Sequence, residues 1–151
     1  MTDSKSSLSR AKGIDMRSIA ETYFEALQTK SLELVEPLLA DDVVEAVRMS
    51  LDGSLEPWDV FDGKQAVLGY MTSIITTFST VRMTGMTFYA DERAGVVFAE
   101  GRGELVNAQT GEPYRNIYVF KFVIVDGKIG RIDAYGNPVA YAKAVGAEAV
   151  A

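Results

Sequence analysis

The feature that most limits how this chain can fold is a long stretch near its C-terminal end. Aromatic and β-branched side chains dominate residues 113–125, and a second strand-like run follows over 128–138. Asp126 and Gly127 join the two runs, and Asp-Gly between such runs is the strongest short-range signal for a tight hairpin. We therefore predict two long antiparallel strands.

The first strand of this hairpin has two unlike faces, because side chains alternate across a strand. One face carries a bulky, partly polar set: Tyr114, Asn116, Tyr118, Phe120 and Phe122. Such a face can line a cavity, since hydroxyl and amide groups need hydrogen-bond partners once buried. It can equally form an aromatic core with a tyrosine hydroxyl that reaches the surface.

Composition removes several classes of chemistry. The 151 residues suffice for one domain with a real core, and they contain neither cysteine nor histidine. Disulfides, thiolate nucleophiles, imidazole bases and the commonest metal ligands are thereby excluded. Acid–base chemistry would fall to carboxylates, tyrosines or lysines, and we expect no metal and no cofactor.

Charge and hydropathy also limit the partners. A net charge of −6 and a pI near 4.7 argue against nucleic acid and anionic membranes, because phosphate binding needs a basic surface. No apolar run has the length of a membrane span, and the first residues lack the apolar segment of a signal peptide. We expect a cytoplasmic protein.

The pattern along the chain predicts a single domain over residues 14–146. The Ser-rich segment 1–13 is predicted to be a disordered leader, and 147–151 a tail. A first amphipathic helix is expected from about Asp15 to Thr29, followed by a shorter helix that Ser31 caps.

A strand is expected over 43–49 and a loop over 50–61. The third helix is predicted to begin with a capping box formed by Asp62 and Gln65. Strands then follow, with a bulge or bend at Gly85, and a short helix ends the domain over 137–146.

Several stretches together resemble one family: LLADDVV at 38–44, FDGK at 61–64, GEPYRNIY at 111–118 and DGKI at 126–129. With the order of elements, they look like the SnoaL-like branch of the NTF2-like superfamily over about residues 15–146. The end of the chain, from YGNP at 135–138 to AVG at 144–146, is similar to the phenazine-biosynthesis A/B proteins.

The resemblance implies an α+β fold, a cone-shaped barrel in which N-terminal helices pack on a curved, mostly antiparallel sheet and leave a cavity. It also implies a homodimer joined through the sheets. The alternation in the hairpin supports such a dimer independently, because Ile117, Val119 and Val123 would form an outward apolar strip.

Catalytic members of the superfamily resemble one another in placing a carboxylate in the cavity, where desolvation raises its pKa. In this chain the ketosteroid-isomerase-like acid falls on or near Val47, and the acid of the phenazine proteins falls on Ala134. The phenazine histidine falls on Phe120. The acid nearest to the Ala134 position is Asp133. Its side chain faces inward only if a bulge shifts the strand by one residue, and it is otherwise exposed.

The resemblance implies a site in which Asp133 moves a proton while Tyr118 and Asn116 polarise a carbonyl or enolate oxygen. Plain core packing is the alternative for the residues expected to form its walls. These ligand-binding candidates are Tyr23, Trp58, Phe61, Met71, Phe120 and Tyr135. Trp58 and Phe61, in the loop, would serve either as a lid over the cavity or as a plug for the barrel mouth.

Two functions therefore compete. The first is a SnoaL-like enzyme of secondary metabolism that cyclises, isomerises or dehydrates an apolar, ring-forming small molecule without a cofactor. The second is a non-catalytic NTF2-like protein that binds a hydrophobic metabolite or assists a partner enzyme. A scaffold whose cavity is filled by its own side chains is a third possibility. A carboxylate with a raised pKa beside the cavity would favour the enzyme.

Overall fold

The fold has an α+β element order, as the sequence predicts. It is seen in a computed structural model that describes residues 3–146, with side chains from residue 16 onward. The predicted tail at 147–151 lies outside the described residues. The elements are α1 (Asp3–Thr29), 3₁₀ turns at Leu32–Leu34 and Glu36–Leu38, β1 (Leu39–Val47), β2 (Asp59–Asp62), α2 (Lys64–Thr77), β3 (Phe78–Asp91), β4 (Val96–Asn107), β5 (Pro113–Val125), β6 (Lys128–Gly136) and α3 (Pro138–Val145).

All six strands form one sheet in the order β2-β1-β6-β5-β4-β3. Every neighbouring pair is antiparallel except β1 and β6, which run parallel. The N-terminal helices lie on the concave face of this curved sheet. None of the described helices is both long and apolar enough to cross a membrane.

The predicted hairpin joins β5 to β6. Asp126 and Gly127 have φ values of 52° and 74°, the left-handed conformations that a two-residue type I′ turn requires. The side chains of β5 alternate as expected, with the five predicted inward residues buried and Arg115 and Ile117 exposed. The prediction of two unlike faces is confirmed.

Aromatic packing attaches α1 to the inner face of β5. Phe24 meets Phe120 edge to face with ring centroids 4.9 Å apart, and Tyr23 meets Phe122 in the same way at 5.3 Å. Pairs of this kind contribute about 0.5–1.5 kcal/mol each beyond the area that they bury. These contacts hold the helix over the sheet.

Several predicted boundaries were wrong. The helix α1 begins at Asp3, inside the segment predicted to be a disordered leader, whereas the sequence pattern predicts a start near Asp15. No proline interrupts this segment, so a helix can extend through it. That the domain spans residues 14–146 remains a prediction.

The region after α1 also departs from prediction. The second helix is only two 3₁₀ turns, consistent with Pro37, which cannot donate a backbone hydrogen bond. The loop predicted over 50–61 contains the start of β2, which pairs with β1 from Val44 to Val47. Because Asp62 stays in that strand, α2 begins after Gly63 with no side-chain cap, and the capping box is absent.

Two glycines shape the outer strands. Gly85 has a φ of 61° at a shift in the pairing of β3 with β4, which confirms the predicted bulge. Gly103 on β4 makes room for a neighbour on β5: a Cβ placed there would lie 2.6 Å from Cε2 of Tyr118. Because Gly103 has no side chain, β4 leaves room for the Tyr118 ring to lie close to the sheet.

We predict that Gly103→Ala destabilises the protein by about 1–3 kcal/mol, because the added methyl group would displace the Tyr118 ring. Urea denaturation would measure the change in unfolding free energy. The matched control is Gly130→Ala, where the nearest atom, in Val125, lies at an ordinary 3.6 Å. Equal stability of the two variants would contradict the close packing of Gly103 on Tyr118.

Candidate active site

A pocket of about 720 Å³ lies between the inner face of the sheet and the three helices. Each helix contributes to it, with Phe24 from α1, Ile74 from α2 and Ala144 from α3. Most of its walls are apolar. The polar exceptions are five tyrosines, Ser73, Thr77 and the carboxylate of Asp59. Among the described lining residues there is no lysine or arginine, so the pocket offers no cation to an anionic group.

The sequence-predicted wall residues divide into two groups. Tyr23, Phe61 and Phe120 line the pocket, and the Phe61 ring stacks on Tyr70 with centroids 4.2 Å apart. Met71 is fully buried in the core and does not line the pocket. Met71 lies on α2 and belongs to the hydrophobic core.

Trp58 and Tyr135 do not reach the pocket either. Tyr135 is 44% exposed because it alternates with Ala134, which does line the pocket, and so points to the outer face of β6. Trp58 is 43% exposed and precedes β2, at the edge of the sheet. Neither the lid nor the plug expected for Trp58 is observed.

Asp133 lies on the outer side of β6, paired with Lys121 rather than with an inward residue of β5. Its carboxylate is bound by Arg48 at 3.0 Å and Arg131 at 2.9 Å. Burial by itself would raise the pKa of Asp133, but the hydrogen bonds and charges of these two arginines outweigh it and hold the pKa below its usual value. A paired, ionised carboxylate that faces away from the pocket does not support the predicted proton transfer.

A different acid, Glu45 on β1, points inward. It is 1% exposed, and the Tyr23 hydroxyl donates a hydrogen bond of 2.7 Å to its Oε2. Its other oxygen, Oε1, has no hydrogen-bond partner among the described residues. Burial raises the pKa of Glu45 from an ordinary 4.5 to about 8, although the Tyr23 hydrogen bond opposes the rise.

Sequence reasoning did not identify Glu45. The family pattern directed attention to Val47, two residues further on, which has no titratable group. Period-two alternation was the available signal, because it places Glu45 on the same inward side of the strand as Val43 and Val47. An acid between two inward valines is a candidate for a buried carboxyl group.

Tyr23 lies between Glu45 and the pocket. Tyr23 lines the pocket and is only 1% exposed, while Glu45 lies behind it. Burial, followed by the charge of Glu45, raises the pKa of Tyr23 well above its usual range. The pair thus places two groups with strongly raised pKa values in one wall of the pocket.

Asn116, predicted to contact a ligand, lies behind the lining residues, and its side-chain amide forms hydrogen bonds with the protein through both its oxygen and its nitrogen. Its Oδ1 accepts hydrogen bonds from the backbone N–H groups of Ile117 and Asn137, at 2.9 and 2.8 Å. Its Nδ2 donates to the carbonyl oxygen of Asn137 at 3.0 Å and to the Tyr114 hydroxyl at 2.8 Å. Asn116 therefore supports the wall and does not face a ligand.

Tyr118 does line the pocket, as predicted, and so does Tyr114. The two hydroxyl oxygens are 2.7 Å apart. Burial raises the pKa of Tyr118, and Tyr114, Tyr70 and Tyr141 raise it further. Burial likewise raises the pKa of Tyr141 to about 12. All four are therefore protonated at neutral pH.

We predict that Glu45 makes stability fall with rising pH. Its folded pKa, about 8, exceeds its ordinary 4.5, so the folded state holds a proton that the unfolded state has lost between these values. Its stabilising contribution is complete below about pH 4.5 and is lost as the pH rises through about 8, with a slope of up to about 1.4 kcal/mol per pH unit.

Glu45→Gln should remove this slope. Urea denaturation from pH 5 to 8 should show the Gln variant gaining stability relative to the wild type as the pH rises. Glu100→Gln, on the outer face of β4, is the matched control and should follow the wild type. Parallel pH curves for the wild type and Glu45→Gln would contradict the raised pKa.

The chain is similar to a suggested isomerase from Bacillus subtilis, with a TM-score of 0.76 and 21% identity, over 92% of this chain and 99% of the other. A suggested polyketide cyclase from Xanthomonas campestris pv. campestris has a TM-score of 0.73 and 18% identity, over 89% and 98%. TerC, crystallised with polyporic acid, has a TM-score of 0.69 and 15% identity, over 88% and 99%.

At these identities the similarity shows the fold alone. No curated protein matches the chain by sequence. The profile of one family, the SnoaL-like domain, matches residues 20–132. The chain therefore belongs to the SnoaL-like domain family.

Proposed function

We propose that this protein is a cofactor-free acid–base enzyme that acts on an apolar, ring-containing small molecule, with the Tyr23–Glu45 pair as its proton-moving group. The observation that carries the proposal is the hydrogen bond between a buried carboxyl group and a tyrosine that lines a pocket. Glu45 takes the role that the sequence suggested for Asp133.

The acidity of Glu45 suits proton transfer. A general base or acid works best when its pKa lies near the working pH, and a pKa of about 8 makes both forms of Glu45 accessible near neutrality. When ionised, Glu45 takes the Tyr23 proton while the Tyr23 oxygen takes a proton from a substrate carbon. Reversal of the transfer at a second carbon returns that proton and completes an isomerisation. In a cyclisation the carbanion instead forms a C–C bond to a carbonyl carbon of the same molecule, the carbonyl π bond breaks, and the proton returns to the resulting alkoxide oxygen.

The walls of the pocket support the proposed substrate class. Side chains such as Leu27, Ile74 and Val81 favour an apolar body, and the absence of cations among the described lining residues disfavours an anion. The pocket volume of about 720 Å³ falls within the range typical of small-molecule sites. That TerC was crystallised with polyporic acid agrees with a small organic molecule as occupant.

We predict that the wild-type protein accelerates hydrogen–deuterium exchange at the carbon next to the carbonyl of 2-tetralone, and that Glu45→Gln lowers this rate by about 10²-fold or more. Proton NMR in D₂O would follow the exchange, with chemical shifts reporting binding. Tyr23→Phe should lower the rate as well, because it breaks the relay. Glu100→Gln should retain the wild-type rate.

A non-catalytic binding protein is the second candidate, and one observation favours it. Glu45 is not itself a lining residue, and Tyr23 is almost entirely buried. In that case 2-tetralone would bind without faster exchange. Saturable binding with no acceleration by the wild type would contradict catalysis and support the binding protein.

We also propose a homodimer formed through the outer face of the sheet. Ile117 is 63% exposed there, and Val119, Tyr135 and Phe98 are exposed further along the same face. Strand pairing makes these side chains continuous, since Val119 lies opposite Tyr135. An exposed apolar strip of this kind is typical of an interaction surface, and an isologous contact would cover both copies at once.

Ile117→Lys should shift the protein from dimer to monomer, because the contact would place a charge against its symmetry mate. Sedimentation equilibrium would measure the mass. Leu55→Lys, at a residue 97% exposed in the segment between β1 and β2, is the control and should leave the mass unchanged. A monomeric wild type, or a dimeric Ile117→Lys variant, would refute this interface.

A further inference from the structure

Asp59 faces the pocket from the edge strand β2. Strand pairing sets Asp59 opposite Val47 and Phe61 opposite Glu45, and directly paired residues point to the same side of a sheet. Val47 and Glu45 point inward, so Asp59 and Phe61 do as well, and both line the pocket. Among the described lining residues, Asp59 is the only one with a charged side chain. The pocket wall therefore carries one negative charge and no positive charge.

Exposure places Asp59 at the mouth of the pocket. Asp59, Ser73 and Thr77 are lining residues that are exposed, whereas Tyr23 and Tyr118 line the pocket within the core. In the described part of the chain, no lysine or arginine forms an ion pair with Asp59. A cleft with low-dielectric walls concentrates the field of a charge that lies in it, so Asp59 attracts a cation into the mouth.

Two tyrosine hydroxyls in the same pocket are open to a ligand. Tyr70 on α2 and Tyr141 on α3 both line the pocket, and neither hydroxyl has a hydrogen-bond partner among the described residues. The only fully enclosed side-chain polar atom without a partner there is Oε1 of Glu45. The hydroxyls of Tyr70 and Tyr141 are therefore not enclosed, and their oxygens can accept hydrogen bonds from an occupant of the pocket.

The negative field of Asp59 extends to these hydroxyls. Burial raises the pKa of Tyr141 to about 12, and the charge of Asp59 is the next cause. Burial also raises the pKa of Tyr70, with Glu45 the next cause and Asp59 a smaller one. Both hydroxyls are therefore neutral at neutral pH, and Asp59 supplies the charge of this group of three.

We propose that Asp59, with the open hydroxyls of Tyr70 and Tyr141, forms a subsite for an ammonium group, so that the ligand of this pocket is an apolar ring system that carries a protonated amine. A primary ammonium group has three N–H donors and no acceptor, which matches one carboxylate and two hydroxyl oxygens. The inference deepens the proposed function and rests on it in taking this pocket as the ligand site. It does not require catalysis by Glu45.

Aromatic rings in this wall favour a cation over a neutral donor. Phe61 and Tyr70 stack with their ring planes 14° apart, and Tyr141 lines the same pocket. The face of an aromatic ring is negative, and a cation within about 6 Å of a ring centroid is attracted to that face. A neutral hydroxyl group gains less from these rings and from Asp59, and an anion is repelled by both.

Three probes of nearly the same shape test the proposal. 2-(Aminomethyl)naphthalene, 2-(hydroxymethyl)naphthalene and 2-ethylnaphthalene end in NH₃⁺, OH and CH₃ at neutral pH. Titrations followed by naphthalene fluorescence would measure the three dissociation constants. Asp59→Asn should weaken binding of the amine by about fivefold, the upper range for an ion pair whose carboxylate is exposed, and leave the ethyl probe unchanged.

Asp62→Asn is the matched control. Asp62 lies on the same short strand and is exposed, but it points to the other side and does not line the pocket. The substitution changes the net charge of the protein by the same amount as Asp59→Asn. It should leave the amine affinity at the wild-type value, and a loss equal to that of Asp59→Asn would overturn the proposal.

Salt adds a readout that a merely structural role of Asp59 would not change. Raising the ionic strength from about 0.15 M to about 1 M shortens the Debye length from about 8 Å to about 3 Å. In the wild type and in Asp62→Asn, amine binding should weaken relative to binding of the ethyl probe. Asp59→Asn should lose most of this salt dependence, and a salt dependence equal to that of the wild type would overturn the proposal.

The alcohol probe separates recognition of charge from recognition of a hydrogen-bond donor. Asp59→Asn should change alcohol binding much less than amine binding, and equal losses would overturn the ammonium subsite. Tyr141→Phe should weaken amine binding by about threefold, the effect of one lost neutral hydrogen bond. An unchanged amine affinity in Tyr141→Phe would overturn the part assigned to its hydroxyl.

The outcomes also separate this inference from the proposed function. Glu45→Gln should keep the wild-type preference for the amine even if it loses the exchange activity on 2-tetralone. Asp59→Asn with unchanged amine binding would overturn the subsite and leave the proton-transfer proposal in place. A wild type that binds none of the three naphthalene probes would also overturn the subsite, whatever the exchange assay shows.

Discussion

The interaction on which the structure most depends is the packing of aromatic side chains from α1 against β5. Tyr23 and Phe24 meet Phe120 and Phe122 edge to face, at centroid distances near 5 Å. Large rings that contact one another in this way keep the helix layer at a distance from the sheet. The pocket begins beside this packing, since Tyr23, Phe24 and Phe120 are among its lining residues, and it extends along β5 to Tyr114 and Tyr118.

The same packing surrounds Glu45 and makes its burial unfavourable. A carboxyl group in such a place loses its hydration and recovers only one hydrogen bond, so a valine would be the more stabilising residue at that strand position. Burial opposes the ionised form of Glu45 most strongly, and this is why the pKa of Glu45 rises. Asp133 shows the reverse outcome only one strand away, because two arginines compensate its charge. Environment, not residue type, separates the two acids.

The sequence predicted the parts of the fold that local pattern controls. The β5–β6 hairpin, its two faces, the bulge at Gly85 and the short final helix each follow from turn chemistry or from period-two alternation within the segment itself. The sequence did not predict β2, because its four residues have no clear alternation of apolar and polar side chains. They form a strand only because they pair with β1.

The site was less predictable for the same physical reason. Tyr118 and Phe120 were placed correctly by alternation, whereas Glu45 depends on burial by a distant helix. The actual role of Asn116 depends on Asn137, which is 21 residues further along the chain. Trp58 and Tyr135 are large aromatic residues, but size does not determine the side of a sheet to which a side chain points. Contacts between distant segments decided each of these cases.

Asn116 and Asn137 link α3 mechanically to the wall of the pocket. Asn137 caps α3 by accepting hydrogen bonds from the backbone N–H groups of Val139 and Ala140, and its own backbone is held by Asn116. The helix that covers one side of the pocket is thus tied to the side chain that also holds Tyr114. Swinging α3 outward would strain the anchor of the hydroxyl pair, so access to the interior and the order of its polar groups are coupled through a single amide.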